Sequence, residues 1–160
     1  MKKFKIVSTI VLMLILILGV SKVNAYSGVV DVDDDITLPS KLTNGAGTIG
    51  FACFAECKKL KSVAIPEGIS AIDKSCFANC KKLKQINLPS TLKTIGENGF
   101  YGCTGLRTVT VKGRVTKCKI FAFYKVKNCK IILKTKAAKK SKKVFAKELK
   151  QEGNKKVKIK

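Results

Sequence analysis

Histidine is absent from all 160 residues. With it go the imidazole base, every Ser-His or Cys-His dyad and every histidine metal ligand. Acids are scarce too, 10 against 33 basic residues, for a formal net charge of +23. Glu67 and Glu97 fall at different positions of the chain's repeat, so they do not suggest the paired carboxylates of a glycosidase. No Gly-rich phosphate loop follows a strand pattern. Asp31, Asp33, Asp34 and Asp35 lack EF-hand spacing and a loop glycine, so they do not imply calcium. The chain reads as non-catalytic, with no cofactor and no metal.

Its one long apolar run, Ile6 to Val20, is short of the roughly 20 residues that span a bilayer. Lys2, Lys3 and Lys5 precede it, and Val23-Asn24-Ala25 follows as a cleavage site. Residues 1–25 therefore read as a secretory signal peptide, with a retained anchor as the alternative. The mature chain is expected to start at Tyr26, without a transmembrane segment, and to be secreted or held at a bacterial cell surface. Its charge is uneven. From Lys112 to Lys160 there are 19 basic residues and only Glu148 and Glu152, a net of +17.

What the chain has in quantity is a repeat. Ile49 to Val63, Ile72 to Ile86 and Ile95 to Val109 align at a spacing of 23 residues. Phe54, Phe77 and Phe100 share one column, Cys57, Cys80 and Cys103 another, and Leu60, Leu83 and Leu106 a third. Such a period marks a solenoid of stacked coils. In the clearest unit Leu83, Ile86 and Leu88 predict a short strand with three inward side chains, ended by Pro89, which cannot donate to a ladder. Leu92 and Ile95 come next inward, Gly96 is expected at a positive φ, and Glu97 to Gly102 is expected to form one helical turn carrying Phe100. One coil buries about six apolar side chains, on the order of 10 kcal/mol. Ordering its backbone costs more, so coils are expected to fold only when stacked.

The first repeat carries a four-residue insertion, which falls within a five-residue stretch, Thr43 to Gly47, read as a surface loop. The fourth unit is degenerate: Val109, Val111, Val115 and Phe123 keep their columns, while Lys112 replaces the proline and Cys118 the isoleucine. Lys130 to Leu133 predicts a strand, Ala137 to Gln151 a helix ending at Gly153, and Val157 to Ile159 a last strand. The boundaries are thus 1–25 for the signal peptide, 26–48 for an N-terminal cap and the start of the first repeat, 49–129 for the solenoid and 130–160 for a basic strand–helix–strand cap. Cys53 and Cys76 share a column with Gly99, which suggests a small buried side chain; disulfide pairing is the alternative, and with seven cysteines at least one thiol stays free in a monomer.

The segments LKSVAIPEGISAIDKSCFANCKKL and LKQINLPSTLKTIGENGFYGCTGL resemble BspA-like (Treponema-type) leucine-rich repeats of bacterial surface proteins. The resemblance covers about Ile36 to Val126, departing at Asp73, at Cys53, Cys76 and Gly99, and through the fourth unit. It implies an α/β repeat solenoid of short stacked strands with a C-terminal helical cap, and an exported adhesion-type module that binds a surface protein or glycan. Two surfaces are candidates. One is the strand face, with Lys61, Lys84, Gln85, Asn87, Arg107, Thr108 and Thr110, for a surface protein or acidic glycan. The other is the polycation of Lys139, Lys140, Lys142, Lys143, Lys147 and Lys150, for an anionic wall polymer or lipid headgroup. In the second reading the solenoid is only a scaffold for a wall-associated polycation. No motif for specific nucleic-acid recognition is present.

Overall fold

The computed structural model describes residues 35–37, 47–152, 154 and 156–160. The signal-peptide reading and residues 43–46 of the insertion lie outside them. Among the described residues no helix is long and apolar enough to cross a membrane.

The coils stack through two parallel sheets. The larger has six strands in the order β1 (Asp35–Thr37), β3 (Ser62–Ala64), β5 (Gln85–Leu88), β7 (Thr108–Val111), β9 (Cys129–Leu133) and β10 (Val157–Ile159). The smaller has β2 (Gly47–Ile49), β4 (Ile69–Ile72), β6 (Thr94–Ile95) and β8 (Lys117–Cys118). Gly47, assigned above to a loop, instead starts β2 and pairs with Ile69. The strand before the final helices starts one residue earlier than expected, at Cys129.

The Phe column forms one interior row. Phe54, Phe77, Phe100 and Phe123 stack at centroid separations of 5.3, 5.5 and 5.4 Å, and Phe145 of the cap closes the row edge-on at 6.1 Å. Leu60, Leu83, Ile86, Leu88, Leu92 and Ile95 are fully buried beside it.

The third wall is not the helical turn expected over Glu97 to Gly102. It is a pair of tight turns, because every second N–H is used between coils. Asn98, Phe100 and Gly102 donate to the carbonyls of Ile120, Ala122 and Tyr124, at 2.8–3.2 Å, while Gly99 and Tyr101 bond back to Gly96 and Asn98. The chain achieves this with two left-handed residues per coil, four apart. Ala52, Ser75, Asn98 and Phe121 occupy one column at φ 51 to 59°, and Glu56, Asn79, Gly102 and Lys125 the other at φ 60 to 68°. Gly96 is not among the positive-φ residues; a Cβ there would meet the Asp73 carbonyl carbon at 2.6 Å, so glycine serves close stacking of the coils.

The predicted single C-terminal helix is two, α1 (Lys136–Lys139) and α2 (Lys142–Gln151). The break comes at Ser141, which is fully buried with its Oγ accepting the Val115 N–H at 2.9 Å. Ala138, Phe145 and Leu149 face the core as expected. Gly153, the predicted helix end, lies outside the described residues; α2 stops at Gln151.

Among the described residues the thiols form no disulfide and are mostly internal: Cys57, Cys76, Cys80, Cys103 and Cys129 are buried. The Cys80 and Cys103 Sγ atoms donate to the carbonyls of Phe54 and Phe77 at 2.9 and 3.0 Å. Burial raises the thiols of Cys76 and Cys118 and pushes Cys129 up to about 12, so these are poor nucleophiles. Alkylation followed by mass spectrometry is expected to label Cys57, Cys80 and Cys103 only after unfolding, without reductant. A quantitative Cys57–Cys80 disulfide would contradict this.

Candidate functional site

Parallel pairing in unbroken register sets the outer face of the six-stranded sheet. Because strand side chains alternate, Val63, Ile86 and Val109 point inward and their neighbours outward. Ser62 pairs with Gln85, Gln85 with Thr108, and Thr108 with Lys130; alongside them Ala64, Asn87, Thr110 and Ile132 form a second column. Gln85 and Asn87 are exposed, and Thr108 and Thr110 are half-buried. Four of the expected face residues thus stand side by side on adjacent strands, about 4.8 Å apart.

The basic column at the strand starts is also continuous. The Lys84 N–H donates to the Lys61 carbonyl and the Arg107 N–H to the Lys84 carbonyl, both at 2.8 Å. Arg107 differs from the lysines, because its Nη1 donates to the carbonyls of Thr104, Leu106 and Lys127 at 2.9–3.2 Å. Its guanidinium therefore braces two loops as well as supplying charge. Lys130 and Lys158, paired in register, carry the first column on to the cap.

The cap lysines Lys139, Lys140, Lys142, Lys143, Lys147 and Lys150 are all exposed. The two acids of this region are not. Glu148 on α2 and Glu152, the residue that caps its C-terminus one turn on, are buried against the last coil at 3 and 9 % exposure. There Phe121 and Phe123 have no further coil to donate to; Glu148 accepts the Phe121 N–H and Glu152 Oε1 the Phe123 N–H at 2.9 Å. Asn154 Nδ2 completes the closure on the carbonyls of Phe123 and Val126, at 2.8 and 3.2 Å. Burial raises both carboxyls, Glu152 to about 7. Glu148 Oε1 and Glu152 Oε2 are buried without a hydrogen-bond partner among the described residues, so burial favours the neutral form of this carboxyl pair. The sequence signal was available: the only acids in a +17 segment, at i and i+4, beside Phe145 and Leu149.

A third cluster was missed. On the turn wall, Tyr101 and Tyr124 stack at 5.8 Å, Phe121 meets Tyr124 edge-on at 5.4 Å, and Lys125 Nζ lies 5.1 Å from the Tyr101 ring centroid. A hydrogen bond with Tyr101 holds the Lys125 ammonium above its usual range. The signal was the Tyr column at 101 and 124, one repeat apart. A cavity of about 350 Å³ borders β4 and β6, lined by Thr48, Asp73, Lys74, Thr94, Glu97 and Lys119 among others. Lys74 and Glu97 in its lining pair with each other at 3.1 Å. Among the described residues no group of three or more Cys, Asp or Glu is placed to hold a metal ion.

Comparison with known families places a BspA type leucine rich repeat region, in six copies, over residues 24–151. No curated protein and no solved structure matches the chain. The six copies extend past the three clear and one degenerate units legible in the sequence, as do the six strands of the larger sheet.

Proposed function

The chain belongs to the BspA type leucine-rich-repeat family, and from that premise we propose that it is a non-catalytic, adhesion-type binding module of the bacterial surface. Its recognition surface is the outer strand face, where Lys61, Lys84, Gln85, Asn87, Arg107, Thr108 and Thr110 take a surface protein or an acidic glycan. The observation that carries this reading is the unbroken register of polar side chains across adjacent strands, edged by a column of cations. Rigid, regularly spaced donors and acceptors favour a partner of matching repeat without ordering cost at binding.

A second contribution has its own support. With Glu148 and Glu152 buried, the described surface of α1 and α2 carries lysines and no carboxylate. Such a field attracts anionic wall polymers or lipid headgroups quickly and with little selectivity. Replacing Lys139, Lys140, Lys142 and Lys143 with Gln is expected to lower retention on all anionic surfaces alike. Replacing Lys84, Gln85, Asn87 and Arg107 with Ala is expected to abolish one partner and spare the rest, as read by pull-down from intact bacterial and host surfaces. Equal loss across all targets for both variants would reduce the strand face to a solvated scaffold.

A further inference from the structure

The turn wall is built to a strict column plan, and the fourth coil breaks it outward. One column reads Ala55, Ala78, Tyr101, Tyr124, and the neighbouring left-handed column reads Ala52, Ser75, Asn98, Phe121. The first two coils close this wall with small residues, so the fold does not need the rings. Phe121 is the sharper departure. It holds φ 59°, where a bulky side chain is strained and Asn is tolerated, yet its ring is 43 % exposed and gains little burial in return. Ile120 beside it is 50 % exposed.

The exposed charge that the last coil itself carries beside the rings has one sign; the nearest acids are Glu148, which is buried, and Glu97, which pairs with Lys74. No acid occurs between Lys112 and Lys147, and Lys119, Lys125 and Lys127 are exposed next to the cluster. A ligand that suits it has flat apolar faces and a negative rim. A sugar acid has both, C–H groups on the ring face and a carboxylate at the edge. A nucleobase with its phosphate has a similar pairing, but Tyr101 and Tyr124 close on each other at 5.8 Å and leave no slot between them for a base. The outward ring surface and edges remain, which suits stacked pyranose rings.

We propose that Tyr101, Phe121, Tyr124 and Lys125 form a second binding site, an aromatic platform with a cationic edge that takes an acidic polysaccharide. It deepens the reading of the chain as a surface-binding module and rests on it, but uses none of the strand-face residues.

The test is titration calorimetry of the intact chain with polygalacturonate, neutral dextran and an oligo-dT strand. Tyr101 and Tyr124 are two of three tyrosines in a chain without tryptophan, so tyrosine emission gives a second readout. Phe121→Asn, Tyr124→Ala and Lys125→Asn combined install the residues that earlier coils carry in these columns, so the variant is expected to keep its fold. Its affinity for polygalacturonate is expected to fall about tenfold or more, with dextran binding to neither protein. Phe121→Asn alone, which relieves strain, is expected to weaken binding without lowering the melting temperature. Unchanged affinity in these variants overturns the site, as does equal binding of dextran; tighter binding of oligo-dT assigns the platform to single-stranded nucleic acid instead. If the variants keep polygalacturonate and the Lys84, Gln85, Asn87, Arg107 variant loses it, the platform fails and the strand-face reading stands.

Discussion

Phe77→Asp is expected to unfold the solenoid, whereas Phe51→Asp, in the preceding coil, is expected to leave it intact. Phe77 has no exposed surface and lies between Phe54 and Phe100, with ring planes within 6° of each. Losing a buried Phe costs about 3–5 kcal/mol, and a carboxylate left there without a partner adds several more. Together these match the whole stability of an ordinary domain, about 5–15 kcal/mol. A stack also transmits the damage, because each coil supplies hydrogen bonds to the next: Phe54 donates to Cys76, and Phe77 to Gly99. Phe51 is 52 % exposed and lies outside this row. Far-UV circular dichroism and limited proteolysis distinguish the two variants; a folded Phe77→Asp protein would contradict the interior row.

Stability is expected to fall as pH rises from about 4.5 to about 7, the window set by the Glu152 carboxyl. Burial holds Glu152 protonated in the folded chain after it would ionise in the unfolded one, with Glu148 beside it raised in the same direction. The folded state therefore binds more protons across this window. The contribution is complete below 4.5 and lost as pH passes through 7. Partial solvent access around the carboxyl trims the effect to about 1–2 kcal/mol. Glu67 acts at the acid end with the opposite sign, since hydrogen bonds from the Ser90 side chain and backbone lower it and are lost on acidification. Glu67 is exposed, so the Glu152 trend dominates. Glu152→Gln keeps an acceptor for the Phe123 N–H without an ionisable group, and is expected to flatten the profile and raise the melting temperature at pH 8. Thermal unfolding across pH checks both; a wild-type melting temperature that climbs from pH 5 to 7.5 would contradict the buried pair.

The interior was legible in the sequence because one physical demand repeats at every coil. Phe, Leu and Ile columns must meet across the stack, so their period survives even in the fourth unit, where Val109, Val111, Val115 and Phe123 are all buried. The turn wall was not legible, because its demand is on the backbone. Ala52, Ser75, Asn98 and Phe121 share a left-handed conformation but no chemistry, so the column carries no compositional sign. Gly96 misled for a related reason: glycine marks close approach as well as positive φ. The closure of the last coil was hidden by charge, since Glu148 and Glu152 count as two solvated acids until α2 turns them inward. For the strand face the polar columns and their spacing were visible early, but the bracing role of Arg107 depends on carbonyls of Thr104, Leu106 and Lys127 that only the fold brings together.

Retention of the chain on intact bacterial and host surfaces, measured as salt rises to about 0.5 M, tests the two-surface account most directly, since the Debye length falls well below 10 Å over that range. The predicted curve has two parts. One is lost with salt and disappears when Lys139, Lys140, Lys142 and Lys143 become Gln. The other persists at high salt on one target and disappears when Lys84, Gln85, Asn87 and Arg107 become Ala. Retention that ignores both salt and both sets of substitutions would contradict the account.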